Sequence, residues 1–214
     1  MVKYLSIALG AGKIATPCHS ASKLGFMSAI RKQNKINEVI MTLTNAAAAK
    51  MPTIKMMYED AFPFEERKPF WMIRRLCKKG SVEILTNFGD EVDFFAVSAI
   101  CGDMVLIDYF AVNDSLRGRG VGSCAIAAFA ERYRGKRLFL EIEAPEPLGD
   151  EYEIKRRRKD FYLRNGFESA DIFAMVFGVK MELLTYGCRI SYDEYRKLYR
   201  NVFGLIPYMN IKSC

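Results

Sequence analysis

The sequence predicts a mixed α/β fold of the α+β kind, built on a mostly antiparallel central sheet of about six or seven strands. Three observations carry this reading. Residues 82–87, 93–100 and 105–112 are β-rich runs separated by the turn dipeptides Gly89-Asp90 and Gly102-Asp103, the pattern of an antiparallel meander. The third run passes through Asn113-Asp114-Ser115 and an Arg- and Gly-rich loop into a small-residue segment, where Cys124, Ala125, Ala128 and Phe129 recur at helical spacing. Residues 137–144 then read as another strand, and a strand, helix, strand order implies a right-handed crossover that sets it parallel to 105–112. Half of the 214 residues are hydrophobic, which is ample for one core.

Residues 1–36 carry little periodicity and read as a basic, poorly ordered extension. Val39, Met41 and Leu43 alternate over 38–44 as a first strand, and Asn45 is placed to cap the helix that follows. Met56, Met57, Ala61 and Phe62 give that helix an apolar stripe, ended by Pro63. A second helix is predicted over 65–79, with Phe70, Ile73, Arg74 and Cys77 on one face and Gly80 closing it. In the strand over 137–144, Leu138, Leu140 and Ile142 share one face and Phe139, Glu141 and Glu143 the other, so one face is wet or functional. Residues 153–165 form a helix closed by Asn165-Gly166. Its run Lys155-Arg156-Arg157-Arg158-Lys159 reads as a solvated face with one or two side chains near a phosphate. Strands follow at 173–178 and 180–186, then a helix over 192–203 opened by the capping box Ser191-x-x-Glu194, and a tail from Pro207.

The chemistry-bearing stretch is the loop and helix start over 117–123. A helix N-terminus leaves its first amides without partners and adds the positive end of the macrodipole, so it suits a phosphate. Gly118, Gly120 and Gly122 let the backbone approach closely, and Arg117 and Arg119 add permanently charged donors. The spacing is not G-x-G-x-x-G, and no Gly-Lys-Ser/Thr is present, so neither a dinucleotide fingerprint nor a Walker loop fits. Arg117, Gly120 and Gly122, preceded by the strand residues Phe110-Ala111-Val112, resemble the Arg/Gln-x-x-Gly-x-Gly/Ala signature of the GNAT superfamily of N-acetyltransferases. Phe161-Tyr162-Leu163-Arg164-Asn165-Gly166-Phe167 is similar to the Tyr-x-x-x-Gly-Phe pattern that follows the coenzyme helix in many members.

The resemblance spans about 38–187 and implies helices on both faces of the sheet. It further implies two parallel strands that splay to take the pantetheine arm of acetyl-CoA, the cosubstrate. Coenzyme contacts are then expected from Phe110, Ala111, Val112, Arg117, Gly118, Arg119, Gly120, Val121, Gly122 and Ser123. No Ser-His-Asp or Cys-His pair suggests a covalent route, so direct attack by an amine is expected. Tyr162 is the candidate acid for the leaving thiolate, and Glu141, Glu143 or Asp108 the candidate relay for the amine proton. The acceptor, an amine-bearing small molecule or peptide, stays open. The alternative is a module of the same fold that holds or senses acyl-CoA without turnover. The domain division expected is 1–36, a catalytic domain over 37–188, and a C-terminal helix and tail over 189–214 that packs on the sheet or on a second protomer in a homodimer.

The bulk numbers narrow the class. Lys3, Lys13, Lys23, Arg31, Lys32 and Lys35 lie in a segment without Asp or Glu and supply six of the seven net positive charges, so nucleic acid is not an expected partner. Six cysteines, at 18, 77, 101, 124, 188 and 214, lie far apart, and His19 is the single histidine, so no metal site is expected. Cys77, Cys101 and Cys124 read as buried reduced thiols, which suits a reducing compartment, the cytoplasm. No apolar run approaches the roughly 20 residues that span a bilayer.

Overall fold

In the computed structural model of the chain, which describes residues 41–64, 67–149 and 151–214, eight strands form one sheet in the order β1-β2-β3-β4-β5-β7-β6-β8. The strands are β1 (Leu43–Asn45), β2 (Val82–Asn87), β3 (Phe94–Cys101), β4 (Met104–Val112), β5 (Arg137–Glu143), β6 (Glu168–Val176), β7 (Val179–Tyr186) and β8 (Ile211–Ser213). The helices are α1 (Met51–Ala61), α2 (Phe70–Lys78), α3 (Val121–Arg132), α4 (Tyr152–Arg164), α5 (Tyr192–Val202) and α6 (Leu205–Met209). Every pairing is antiparallel except β4 with β5, which are parallel and joined by the α3 crossover.

Alternation along the strands divides the core in two. On one face Leu106, Tyr109, Phe139 and Leu183 pack with Ile54 and Tyr58 of α1, Ile73 of α2, and Tyr195, Leu198 and Tyr199 of α5. On the other, Ile107, Phe110, Leu140 and Ile142 pack with Ala125, Ile126 and Phe129 of α3 and Tyr162 of α4. Helices therefore cover both faces, as expected.

The sheet has eight strands rather than six or seven, because the tail is not a tail. After α5 the chain forms α6, and Ile211, almost fully buried, anchors a three-residue edge strand on β6. Short non-local strands leave no periodicity to read. Strand β6 also starts earlier than predicted, at Glu168, because pairing with β7 holds its polar half through an irregular stretch where Asp171 has φ 54°.

Other local expectations are revised. Asn45 does not cap α1: it ends β1, its side-chain oxygen accepts from Arg132 Nη2 at 3.2 Å, and the chain enters α1 through the 3-10 turn Ala48–Lys50. The buried stripe of α1 continues from Ile54 and Tyr58 to Phe62, while Met56 is exposed. Helix α2 begins at Phe70 rather than 65, since Pro69 disfavours helical backbone at Lys68. Cys124 is exposed rather than buried, because it lies on the outer side of α3. Helix α5 packs on the sheet of its own chain. The extension 1–36 and residues 38–40 of the first strand lie outside the described residues.

Candidate active site

The site is made by a break in the sheet. Strands β4 and β5 pair from Met104↔Arg137 to Ile107↔Leu140 and no further. Yet β4 stays paired with β3 as far as Val112, and β5 with β7 as far as Glu143. The cause lies at Asp108: Ser98 faces Ile107 and Val97 faces Tyr109, so Asp108 is an extra residue without a partner on β3. Such a bulge bends the strand and raises its twist, and β4 turns away from β5 there. Among the described residues, Phe110, Ala111 and Val112 have no register partner on β5, and buried backbone groups need a hydrogen-bond partner.

At the apex of this splay two carboxylates are buried side by side on adjacent strands. Asp108 accepts from Lys68 Nζ at 2.8 and 3.0 Å. Lys68 is pinned there: its amide donates to the Tyr109 hydroxyl at 3.1 Å, its carbonyl accepts from Tyr58, and its ammonium lies 4.5 Å from the Phe203 ring centre. Burial pushes the Asp108 carboxyl above its ordinary value against the pull of Lys68. Glu141 accepts hydrogen bonds from the hydroxyls of Tyr195 and Tyr199, one on each oxygen. Its carboxyl is pushed up to about 7, chiefly by burial and also by the Asp108 charge, while the two phenols and Lys68 pull it down. The face predicted to be wet is thus polar but buried, because α5 covers it.

Glu143 is treated differently. Lys155 lies 2.8 Å from one of its oxygens and Arg158 3.8 Å from the other, while Lys159 turns onto buried Glu182 at 2.7 and 2.8 Å. Three of the five residues in the basic run 155–159 therefore neutralise carboxylates on β5 and β7 rather than forming a solvated face. Arg156 and Arg157 remain exposed.

On the opposite face of the splay stands Tyr162. It is fully buried among Phe161 and Phe167, with ring centres 5.2 and 5.6 Å away, and its hydroxyl has no hydrogen-bond partner among the described residues. Burial pushes its phenol upward. An unpaired buried hydroxyl costs about 1–3 kcal/mol, so the position points to a partner the chain does not supply.

The loop from β4 into α3 ends beside this cleft. The Asn113 side chain accepts from the Ser115 amide at 3.1 Å, and Arg117 pairs with Asp114, so one of the two expected arginines braces the loop. Gly118 and Gly120 sit at φ 74° and 85°, left-handed backbone that favours glycine, and nothing lies within 4 Å of a Cβ built at either. Gly122 is needed for a different reason, since its Cβ would meet the Phe161 ring at 3.1 Å. The first helical amide with an acceptor is Cys124, on Gly120 at 3.0 Å. The amides of Val121, Gly122 and Ser123 have no acceptor among the described residues, Gly120 supplies no side-chain cap, and the first turn carries no acidic residue. Free amides at a helix N-terminus of this kind can receive an anion.

No protein-family model matches the sequence, and no curated protein sequence matches it significantly. Solved structures do. A Bacteroides thetaiotaomicron protein described as a GNAT-family acetyltransferase superposes with a TM-score of 0.65 at 20% identity, over 77% of this chain and 99% of that one. The chain has the GNAT fold. An aminoglycoside 6'-N-acetyltransferase complexed with coenzyme A shares the GNAT fold with it at TM-score 0.56 and 12% identity, over 71% of this chain and all of that one. A Bacillus subtilis acetyltransferase in complex with CoA matches at 0.51 and 16%, over 68% and 97%. The structure places the splay between β4 and β5, with Gly122 of the glycine loop packed against Phe161, the neighbour of Tyr162. Lys68, Tyr195 and Tyr199 were not legible as site residues, although Tyr195 and Tyr199 lie four apart on the apolar stripe of a capped helix.

Proposed function

We propose that this protein is an acyl-CoA-dependent N-acetyltransferase that moves an acetyl group from acetyl-CoA to a primary amine by direct attack. The observation that carries the reading is the splay where β4–β5 pairing stops after Ile107↔Leu140, beside the free amides of 121–123 and, on one face, a buried tyrosine hydroxyl without a hydrogen-bond partner among the described residues. A diphosphate suits the amides of 121–123, with Gly118, Arg119 and Gly120 around it, and an amide-bearing arm suits the strand edge of Phe110, Ala111 and Val112.

The chain's residues then divide the work. The amine nitrogen attacks the thioester carbon, and amides at the β4 edge stabilise the oxygen that gains charge. Glu141 takes the amine proton, directly or through water, and a carboxyl pushed up to about 7 is matched to that task near neutral pH. Tyr162 donates to the thiolate as it leaves, yielding the N-acetyl product and the free thiol. Glu143 seats α4 on β5. The same fold used only to hold acyl-CoA would need neither an unpaired phenol nor a near-neutral carboxyl at the apex. The test is free-thiol release from acetyl-CoA against a panel of polyamines, aminoglycosides, amino acids and peptides. Amine-dependent thiol release is expected. Tight coenzyme binding with no amine-dependent release across the panel would favour the sensing module.

A further inference from the structure

Helix α5 lies outside the segment that resembles the GNAT pattern, yet two of its side chains reach Glu141 at the apex of the splay. Its start is locked to β5. Ser191 and Glu194 form the capping box, and Glu194 also accepts from Arg137 Nη1 at 2.7 Å, while Arg137 Nε donates to Asp103 at 2.8 Å. From that fixed origin, Tyr195 and Tyr199 fall one turn apart on the buried stripe, both fully buried, with ring centres 5.2 Å apart. Tyr195 also packs edge-on against Phe139, two residues before Glu141 on the same strand face. Each phenol donates to a different oxygen of Glu141.

The choice of tyrosine has a chemical consequence. A carboxylate has about four acceptor positions, and two phenols fill two of them without adding a charge. Each oxygen keeps a lone pair for an incoming proton. A lysine or arginine in their place would hold the carboxylate firmly ionised and blunt it as a base. With no donor at all, burial would keep it protonated and useless for the same task.

On the reading that the protein transfers acetyl groups, we propose that Tyr195 and Tyr199 are positioning residues: the C-terminal helix uses them to hold Glu141 as the proton acceptor for the amine and to set the pH above which it works. Other titratable or charged groups acting on Glu141 are Asp108 from β4 and Lys68 from the segment between α1 and α2, and the apolar Leu183 stands opposite it on β7. Of these, Asp108 raises and Lys68 lowers the carboxyl through their charges, whereas the two phenols act on its oxygens as neutral donors.

The experiment uses the full chain and the variants Tyr195→Phe, Tyr199→Phe and the double variant, each of which keeps its ring. Infrared titration follows the protonated carboxyl band that disappears in Glu141→Gln. In parallel, kcat/KM for amine-dependent thiol release is measured against pH, and acetyl-CoA affinity by calorimetry. In the wild type the band and the acidic limb of the rate profile should share a midpoint. Losing one donor to the charged form should move both upward by about one pH unit, and the double variant further, with coenzyme affinity unchanged. An unmoved band and limb in folded variants would overturn the proposal, as would a band that moves while the limb stays. Either result, with wild-type turnover intact, leaves the acetyl-transfer reading standing. Wild-type protein that binds no coenzyme and releases no thiol defeats that reading instead.

Discussion

In the proposed mechanism, burial on opposite faces of the sheet prepares Tyr162 and Glu141 for opposite tasks. Burial raises both, so the phenol stays protonated through the working range and the carboxyl becomes a base only near neutrality. Tyr162→Phe removes the orphaned hydroxyl and keeps the ring. Turnover should fall by about 10², the lower end for general acid catalysis, because a thiolate is already an adequate leaving group. Coenzyme affinity should change little. The melting temperature of the free protein should stay level or rise, since an unpaired buried hydroxyl is lost. Unchanged turnover, followed by thiol release, would assign Tyr162 to packing.

At the scale of elements, covering β5 with α5 has a thermodynamic signature. The Glu141 carboxyl has an ordinary value of 4.5 in the open chain and about 7 in the fold, so folding takes up a proton between these values. A raised acid stabilises the fold fully below its unfolded value, and that contribution is lost as pH rises through about 7. Relative to Glu141→Gln, the wild type should therefore lose on the order of a few kcal/mol of stability from pH 4.5 to pH 8. Urea unfolding of both at several pH values checks it. A wild type that gains on the variant as pH rises would show instead that the fold stabilises the carboxylate. This coupling was only half legible. The alternation of Phe139, Glu141 and Glu143 marked a polar strand face, and Ser191-x-x-Glu194 marked the start of α5. Nothing local says that the helix lies on that strand, because the contact joins residues 54 and 58 positions apart. Strand β8 escaped for the same reason.

For the whole molecule, the parts legible in sequence are those fixed within one contiguous stretch: the meander, the crossover and the glycine loop, whose turn residues and periodicities are local. The parts that were not, Lys68 on Asp108 and the tyrosines on Glu141, are buried polar contacts brought together only by closure of the sheet. Among the described residues no helix is long and apolar enough to cross a membrane. Central to the proposed function is that the splay and the α3 N-terminus together receive one extended ligand with an anionic end. Gly120→Glu tests this most directly. The site has open space for the side chain, but its backbone has φ 85°, so the variant should fold with a stability loss of about 1–2 kcal/mol. Its carboxylate would stand at the α3 N-terminus and repel a diphosphate. Calorimetric titration with acetyl-CoA should give binding to the wild type and none to the folded variant, whereas equal affinity in both would contradict the account.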